Sequence, residues 1–294
     1  MMRILLIGAR GQVGQELQKT LPLQGTVEAV DRSHLDLTDV SRIRQVIREQ
    51  TPDVIINAAA YTAVDKAEVE QTLANAINTV APGVMAEEAQ KLGAFLIHIS
   101  TDYVFDGRKN TPYLEDDTPN PQGVYGESKL LGERQIQQTC ERHAILRTAW
   151  VYGAKGKGNF VKTMLRLGAD REELKVVMDQ VGTPTWSFDI AQTIASMVGH
   201  ANSEKPLQSG VYHFTNSGVA SWYDFSIAIF EEARLIDIPL AIKSVMPITT
   251  AEYPLPASRP AYSVLSNQKL SATLNAVPEH WRHRLRKMLV ELYS

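Results

Sequence analysis

Short unbroken apolar runs separated by amphipathic stretches set the rhythm of the first half of the chain. Ile4-Leu5-Leu6-Ile7 is a short apolar run flowing into glycine, and it reads as a strand buried on both faces. Residues 12–21 follow, with Val13, Leu17 and Leu21 recurring at helical spacing. Residues 26–30, 53–57, 94–100 and 144–150 read as further strands, and 123–139 as a helix. Residues 66–89 also read as helical, with Pro82 and Gly83 marking a break or a kink rather than a straight run. Residues 107–122 are polar and proline-bearing, hence a surface loop. Strand and helix alternating in this way specify a parallel sheet covered on both faces.

Beyond residue 150 the pattern is mixed. A glycine and lysine loop at 153–158 leads into a helix over 159–167. Helices are also expected over 187–198, 221–232 and 279–292, and strands over 174–178, 211–215 and 240–245. No internal repeat or low-complexity tract is visible.

Chemistry enters first at the end of the first strand, where Gly8, Gly11 and Gly14 form a G-x-x-G-x-x-G turn opening a helix. Such a turn lets backbone approach a pyrophosphate and aims a helix N-terminus at it. Asp31 closes the second strand about twenty residues beyond the glycines, where a carboxylate grips the adenosine ribose. Arg32 beside it suits a 2′-phosphate, so both NADH and NADPH remain open. Asp36 and Leu37 fall where adenine would rest if Asp31 holds its ribose. Small residues in Asn57-Ala58-Ala59-Ala60, leading into Tyr61 and Thr62, let a dinucleotide lie across the third strand. The expected fold is therefore α/β: a Rossmann-type doubly wound parallel sheet over 1–150 and a smaller, mixed substrate-binding domain mainly over 151–294. Some later segments are expected to return to the main sheet.

The second chemical feature is Ser100-Thr101-Asp102 followed by Tyr125-Gly126-Glu127-Ser128-Lys129. Reduction of a ketone by hydride builds charge on oxygen, and a donor must already be aimed there. Tyrosine is a poor acid near neutrality, with an unperturbed pKa of about 10. A lysine one helical turn away would favour its phenolate. Thr101, or Ser100 beside it, would fix the carbonyl by a hydrogen bond. The pattern thus predicts Tyr125 as proton donor, Lys129 as its activator and Thr101 as the orienting hydroxyl.

Composition narrows the class. With 294 residues, 44% of them hydrophobic, and a net charge of −3, a large core is expected and neither nucleic acid nor a membrane is an expected partner. The one cysteine, Cys140, excludes an intrachain disulfide and reads as structural, and no cluster has metal-ligand spacing. Residues 1–7 are too short for a signal peptide and lead directly into the glycine turn. A cytoplasmic enzyme is expected.

The glycine turn, the Asn-Ala-Ala-Ala stretch, Ser100-Thr101-Asp102 and the Tyr125/Lys129 pair together resemble the extended short-chain dehydrogenase/reductase superfamily. More closely, the chain resembles the dTDP-4-dehydrorhamnose reductase family over essentially its full length. The closer markers are residues 60–68, 100–107 and 150–153, Asn159-Phe160, residues 180–185 and Arg259-Pro260-Ala261-Tyr262-Ser263. The resemblance implies that Gly11, Gln12 and Val13 face the cofactor pyrophosphate, with Asp31, Asp36, Leu37, Ala60, Tyr61 and Thr62 along the rest of NADPH or NADH. It implies Tyr125 as donor, Lys129 on both the phenol and the nicotinamide ribose, Thr101 and Asp102 on the sugar, and Trp150 nearby. The implied reaction is reduction of a 4-keto sugar nucleotide to dTDP-L-rhamnose, with a homodimer as a candidate assembly. Some members of the family are associated with magnesium. Glu16 is a candidate contributor here, but Thr185-Trp186-Ser187-Phe188 supplies no acidic partner, so the metal is not carried over.

The substrate pyrophosphate needs a cation, and Arg259 is the candidate, with Lys155 and Lys157 as weaker ones. His98 alternates with Ile97 and Ile99 and reads as a packed or sheet-facing histidine with no acid-base role, while Glu87 and Glu88 read as a solvated helix face. Three rivals stand beside the reductase. A 4,6-dehydratase is disfavoured because Thr101-Asp102 is followed by Tyr103 where a glutamate would be needed. A sugar-nucleotide epimerase would keep its cofactor through the cycle, and a noncatalytic nucleotide-binding regulatory subunit would show no turnover.

Overall fold

The protein is described here from a computed structural model covering residues 1–201 and 206–294. The first strand, β1 (Arg3–Ile7), is hydrogen-bonded on one side to β2 (Thr26–Val30) and on the other to β3 (Val54–Asn57). Beyond β3 come β4 (Phe95–Thr101) and β5 (His143–Thr148), every pairing parallel. From the second half come β6 (Glu173–Val177), β7 (Gly210–His213) and β8 (Ser244–Ile248). The edge of β5 is taken by β7, giving a six-stranded sheet in the order β7-β5-β4-β3-β1-β2. A separate parallel ribbon joins β6 to β8. The strand order reverses at β1, so the chain leaves the carboxyl ends of β1 and β3 in opposite directions and opens a crevice between them.

Among the described residues, eight longer helices pack around this frame: α1 (Gln12–Thr20), α2 (Val40–Gln50), α3 (Ala81–Leu92), α4 (Val124–Thr139), α5 (Phe160–Asp170), α6 (Ser187–Ala201), α7 (Trp222–Arg234) and α8 (Trp281–Tyr293). Alternate residues of a strand point to opposite faces, and both faces of the sheet are covered. Ile4, Leu6, Ile56 and Ile97 meet Leu17 of α1 and Ile190, Ile194 and Val198 of α6. Leu5, Ile7, Ile55 and Leu96 meet Ile43 and Ile47 of α2, Met85 of α3 and Ile136 of α4. Helices α5, α7 and α8 close a third apolar cluster around Leu174, Val176 and Trp186.

Several elements differ from the pattern-based expectation. The stretch 66–89 is divided into Val64–Ala67, Gln71–Asn75, a π-helical turn Ala76–Val80, and α3. Pro82 does not break it. It sits in the first turn of α3, where a missing N–H costs nothing. Helix α2, unanticipated, is a regular amphipathic element that buries Ile43, Val46 and Ile47. β8 lies later than the 240–245 expected. Glu88 is not solvated: it is 1% exposed and bonded by Arg44, Arg48 and Lys91, which hold its carboxyl low. No helix among the described residues is long and apolar enough to cross a membrane.

The placement of α4 depends on two glycines. A Cβ on Gly126 would collide with the Tyr103 carbonyl oxygen, and one on Gly132 with that of Asn78 in the π-helical turn. Because both obstacles are backbone, neither can swing aside. Gly132→Ala is expected to lower the unfolding free energy by about 1–3 kcal/mol through this overpacking, measured by urea denaturation. An unchanged midpoint would show that α4 stands farther from the turn.

Candidate active site

The geometry of the phosphate-type turn requires glycine at two of its three glycine positions, Gly8 and Gly14. Gly8 holds φ +95°, and a Cβ there would strike Ala59 N, while one on Gly14 would strike the Gly8 carbonyl. The N–H groups of Gly8 and Ala9 both donate to the Val30 carbonyl, at 2.9 and 3.1 Å, which ties the turn to the end of β2. Helix α1 then starts at Gly11 without a side-chain cap. Its first-turn N–H groups have no intrahelical acceptors, and Gly11, where the helix begins, presents no Cβ to keep an anion away. These residues fit a dinucleotide pyrophosphate. Val13 contributes backbone only, since its side chain lies in the core. The Gln12 amide oxygen accepts from Asn159 at 2.8 Å, and the loop carrying Lys155 and Lys157 folds over it, with Gly156 against Gln12.

At the adenosine end, the Asp31 carboxylate accepts from the Ser33 hydroxyl at 2.5 Å and from the Ser33 N–H, lies 3.0 Å from the His34 ring, and pairs with Arg10 at 2.5 Å. The hydrogen bonds from Ser33 and His34, ahead of the Arg10 charge, hold it well below the usual carboxylate range. Arg10 was not foreseen. Arg32 is exposed and reaches only Asp36, at 3.9 Å. The Asp36 carboxylate is turned back to the Thr38 N–H and hydroxyl, both at 2.9 Å. The Leu37 side chain is buried in the core, so at this position only backbone is available to an adenine. After β3, Ala60 leads to Tyr61, whose N–H donates to Asn78 and whose hydroxyl donates to Glu70, and then to exposed Thr62.

Thr101, Tyr125 and Lys129 converge on the carboxyl end of β4. Thr101 donates to Asp102 Oδ1 at 3.0 Å and accepts from the Tyr103 N–H at 3.2 Å. Ser100 is engaged elsewhere. Its Oγ donates to Glu133 at 2.5 Å, deep beneath the site. Tyr125, 9% exposed, stands edge-on to Tyr103 with ring centroids 5.4 Å apart. The start of α4 is held by Glu68, which accepts from Val124 N at 2.9 Å. Its next turn is held by Asn78, which donates to Ser128. Lys129, 1% exposed, donates to the Ile99 carbonyl at 2.7 Å, and its Nζ lies 2.9 Å from His98 Nε2.

The electrostatics correct one expectation. Burial pushes the Tyr125 phenol up to about 12, the Asp102 charge adds to this, and a hydrogen bond with Thr101 opposes it. Burial brings Lys129 down to about 8, with Glu133 opposing. Lys129 is not among the groups that act on the phenol, and its amine is engaged with β4. The reading of His98 is corrected as well: it is packed as expected, but against the one lysine of the site. His98 and Ser100, two apart on a strand, share a face, and they meet Lys129 and Glu133, four apart on α4.

Residues from the second half, and Trp150 at its boundary, border the same region. Ser263 bonds Asp102, and Gly107, at φ +78°, packs against Pro260 and Ala261. Arg259 is 17% exposed by side chain and clamps Asp65 with bonds of 3.1 and 2.7 Å, so its charge is already paired. Trp150, at φ +46°, lies flat on Trp222 with ring centroids 3.5 Å apart. Glu16 is buried and bonded to Lys19, and no group of metal-ligating side chains forms among the described residues. Cys140 is buried and free.

Burial pushes the Asp102 carboxyl up to about 6 despite its bonds with Ser263 and Thr101, and Oδ2 has no partner. Its folded pKa therefore exceeds the unfolded value of about 3.9. Stability from this group is full below the unfolded value and lost as pH rises through the folded one. Asp102→Asn should match wild type near pH 4 and become the more stable of the two above about pH 6, read by urea unfolding across pH. A constant difference over that range would contradict the shift.

Residues 2–294 match the model of the RmlD substrate binding domain. A dTDP-4-dehydrorhamnose reductase of Burkholderia thailandensis is 43% identical over 298 residues, covering 100% of both chains. Among solved structures, a dTDP-4-dehydrorhamnose reductase of Clostridium acetobutylicum superposes with a TM-score of 0.92 at 41% identity, covering 100% of both chains. One from Bacillus anthracis, in complex with NADP, gives 0.91 at 37% identity and covers 99% of each.

Proposed function

The chain belongs to the RmlD family of dTDP-4-dehydrorhamnose reductases, and from that premise we propose that Thr101, Tyr125 and Lys129 carry out its reaction at the end of β4. The protein is an NAD(P)H-dependent oxidoreductase that reduces dTDP-4-dehydro-6-deoxy-L-mannose to dTDP-L-rhamnose, the last step in forming that sugar nucleotide. The observation that carries the residue assignment is the convergence of a buried phenol, a buried amine and a buried hydroxyl on one strand end.

NADPH or NADH, when bound, supplies the hydride. Gly8, Gly11 and Gly14, with the backbone of Gln12 and Val13, hold its pyrophosphate, and Ala60, Tyr61 and Thr62 line the crevice beyond β3. Thr101 fixes the sugar carbonyl by its hydroxyl, whose one proton turns from Asp102 Oδ1 to the carbonyl oxygen when the sugar binds. Tyr125 gives its proton to the developing alkoxide. A phenol this reluctant to ionise in the resting state keeps its proton until charge appears on the substrate oxygen. Lys129 serves the nicotinamide ribose and restores the proton of Tyr125. Trp150 and Arg259 border the sugar-nucleotide side, with Arg259 exchanging Asp65 for a phosphate. Residues 1–150 act mainly as the dinucleotide-binding domain and 151–294 mainly as the substrate-binding domain. The enzyme is expected in the cytoplasm, with a second copy of the chain as candidate partner and no nucleic acid.

Cofactor choice follows from the charges around Asp31. A carboxylate there suits the ribose hydroxyls of NADH, while Arg10 and Arg32 flank it with two cations suited to the 2′-phosphate of NADPH. The residue set accommodates both cofactors. A charge-assisted hydrogen bond contributes about 1.5–3 kcal/mol. The double variant Arg10→Ala/Arg32→Ala should therefore raise KM for NADPH by roughly tenfold or more while changing that for NADH little, in steady-state assays with each cofactor. Equal effects on both would contradict this placement.

The reaction itself is tested by Tyr125→Phe. With dTDP-4-dehydro-6-deoxy-L-mannose as substrate, kcat should fall by about 10²–10⁴-fold, the usual contribution of a positioned proton donor, with NADPH affinity retained. Undiminished turnover would remove Tyr125 from this role.

A further inference from the structure

One buried hydrogen-bond chain decides which proton sits where beside Lys129. Asn57 on β3 and His98 on β4 are direct cross-strand partners, and neither is exposed to solvent. The N–H of Ala59 donates to Asn57 Oδ1 at 3.1 Å. A backbone N–H cannot reverse its polarity, so this bond fixes the amide with its oxygen toward Ala59 and its NH2 toward His98. Asn57 Nδ2 lies 3.0 Å from His98 Nδ1, and an NH2 group offers only donors. His98 Nδ1 must then be the acceptor. A neutral imidazole carries its one proton on the other nitrogen, which is Nε2, 2.9 Å from Lys129 Nζ. His98 is neutral, since burial and the neighbouring lysine hold its pKa far below the ordinary value.

We propose that Asn57 and His98 form a positioning pair that presents an Nε2–H donor to Lys129, so that the pair favours the neutral amine and makes Lys129 a proton exchanger rather than a fixed cation. The amine accepts from His98 Nε2–H and donates to the Ile99 carbonyl. The ammonium instead meets the imidazole N–H donor to donor. Burial acts in the same direction.

The other charged and titratable groups near this pair are few. Glu133, one turn along α4, favours the ammonium, but its carboxylate is bonded in turn by Arg147 from β5 and by Ser100 from β4. Tyr125 lies one turn back on α4, and Asp102, just beyond the end of β4, acts on the phenol. Asn78, from the π-helical turn, contacts Ser128 and carries no charge.

The inference rests on the reading that Lys129 serves Tyr125. After the phenol has given its proton to the sugar oxygen, an O–H bond must re-form on Tyr125. An ammonium whose amine form is stabilised by His98 is a stronger acid than a free lysine. It can break an N–H bond in favour of the phenolate and later recover the proton from water. Asn57 and His98 touch neither reacting atom in this scheme and act through Lys129.

Two measurements test it. In wild-type enzyme labelled with ¹⁵N-histidine, His98 should show the Nε2–H tautomer at neutral pH; the Nδ1–H tautomer would overturn the proposal, and no variant is needed. In enzyme labelled with ¹⁵N-lysine, with Lys129→Met assigning the signal, His98→Phe should move the Lys129 titration upward by about one pH unit, the equivalent of roughly 1.4 kcal/mol. A downward move would mean that Nε2 accepts from an ammonium, which is the opposite arrangement. In activity assays the basic limb of the kcat profile should shift in the same direction. A Lys129→Met enzyme with full turnover would sink the reading of Lys129 while leaving the tautomer result to judge the pair on its own.

Discussion

An amine buried to 1% exposure must find partners or give up its charge, and the partners that Lys129 finds set the arrangement of the whole site. They come from β4: the Ile99 carbonyl and the His98 ring. Because Lys129 rides on α4, anchoring its amine fixes that helix in depth and rotation against the strand. Tyr125, one turn earlier, is thereby brought to the level where β4 ends and Thr101 begins the turn. The close glycine contacts of α4 with Tyr103 and Asn78 remove the space in which the helix could slide. Glu133, one turn later, repeats the device by bonding Ser100 and Arg147.

That anchoring has an electrostatic consequence. The lysine and tyrosine share a low-dielectric pocket, and burial moves each toward its neutral form, the phenol up to about 12 and the amine down to about 8. A phenol that keeps its proton at rest is suited to a reaction whose charge appears only when hydride reaches the carbonyl. Stabilisation is then directed at the developing alkoxide rather than at a standing ion pair.

Much of this was legible in the chain. Residues 4–7 and 94–100 were readable as strands because a parallel sheet covered on both faces demands continuous apolar runs. Gly8, Gly11 and Gly14 were readable because backbone that must approach an anion excludes side chains. Thr101, Tyr125 and Lys129 could be picked out by spacing. What spacing could not supply was the direction of each charge. Arg259 and Asp65 are 194 positions apart, and only the fold pairs them. Arg10 reaches Asp31 across the β1 turn, a contact without a local pattern. Leu37 was assigned to adenine by position, yet apolar burial claimed its side chain. His98 looked inert because its neighbours are isoleucines. The available signal was the match between His98/Ser100 on a strand and Lys129/Glu133 on a helix, two polar pairs at the spacings that let one face meet another. The missed helix α2 had its amphipathic pattern in plain view, and the π-helical turn had none.

Burial rather than the lysine governs the phenol. The direct test is a ¹³Cζ-tyrosine NMR titration of the unliganded enzyme and of Lys129→Met, with Tyr125→Phe assigning the resonance. Tyr125 should ionise well above the free value of about 10, and Lys129→Met should leave it there. A Tyr125 that ionises below that value in wild type and rises when Lys129 is removed would contradict the account.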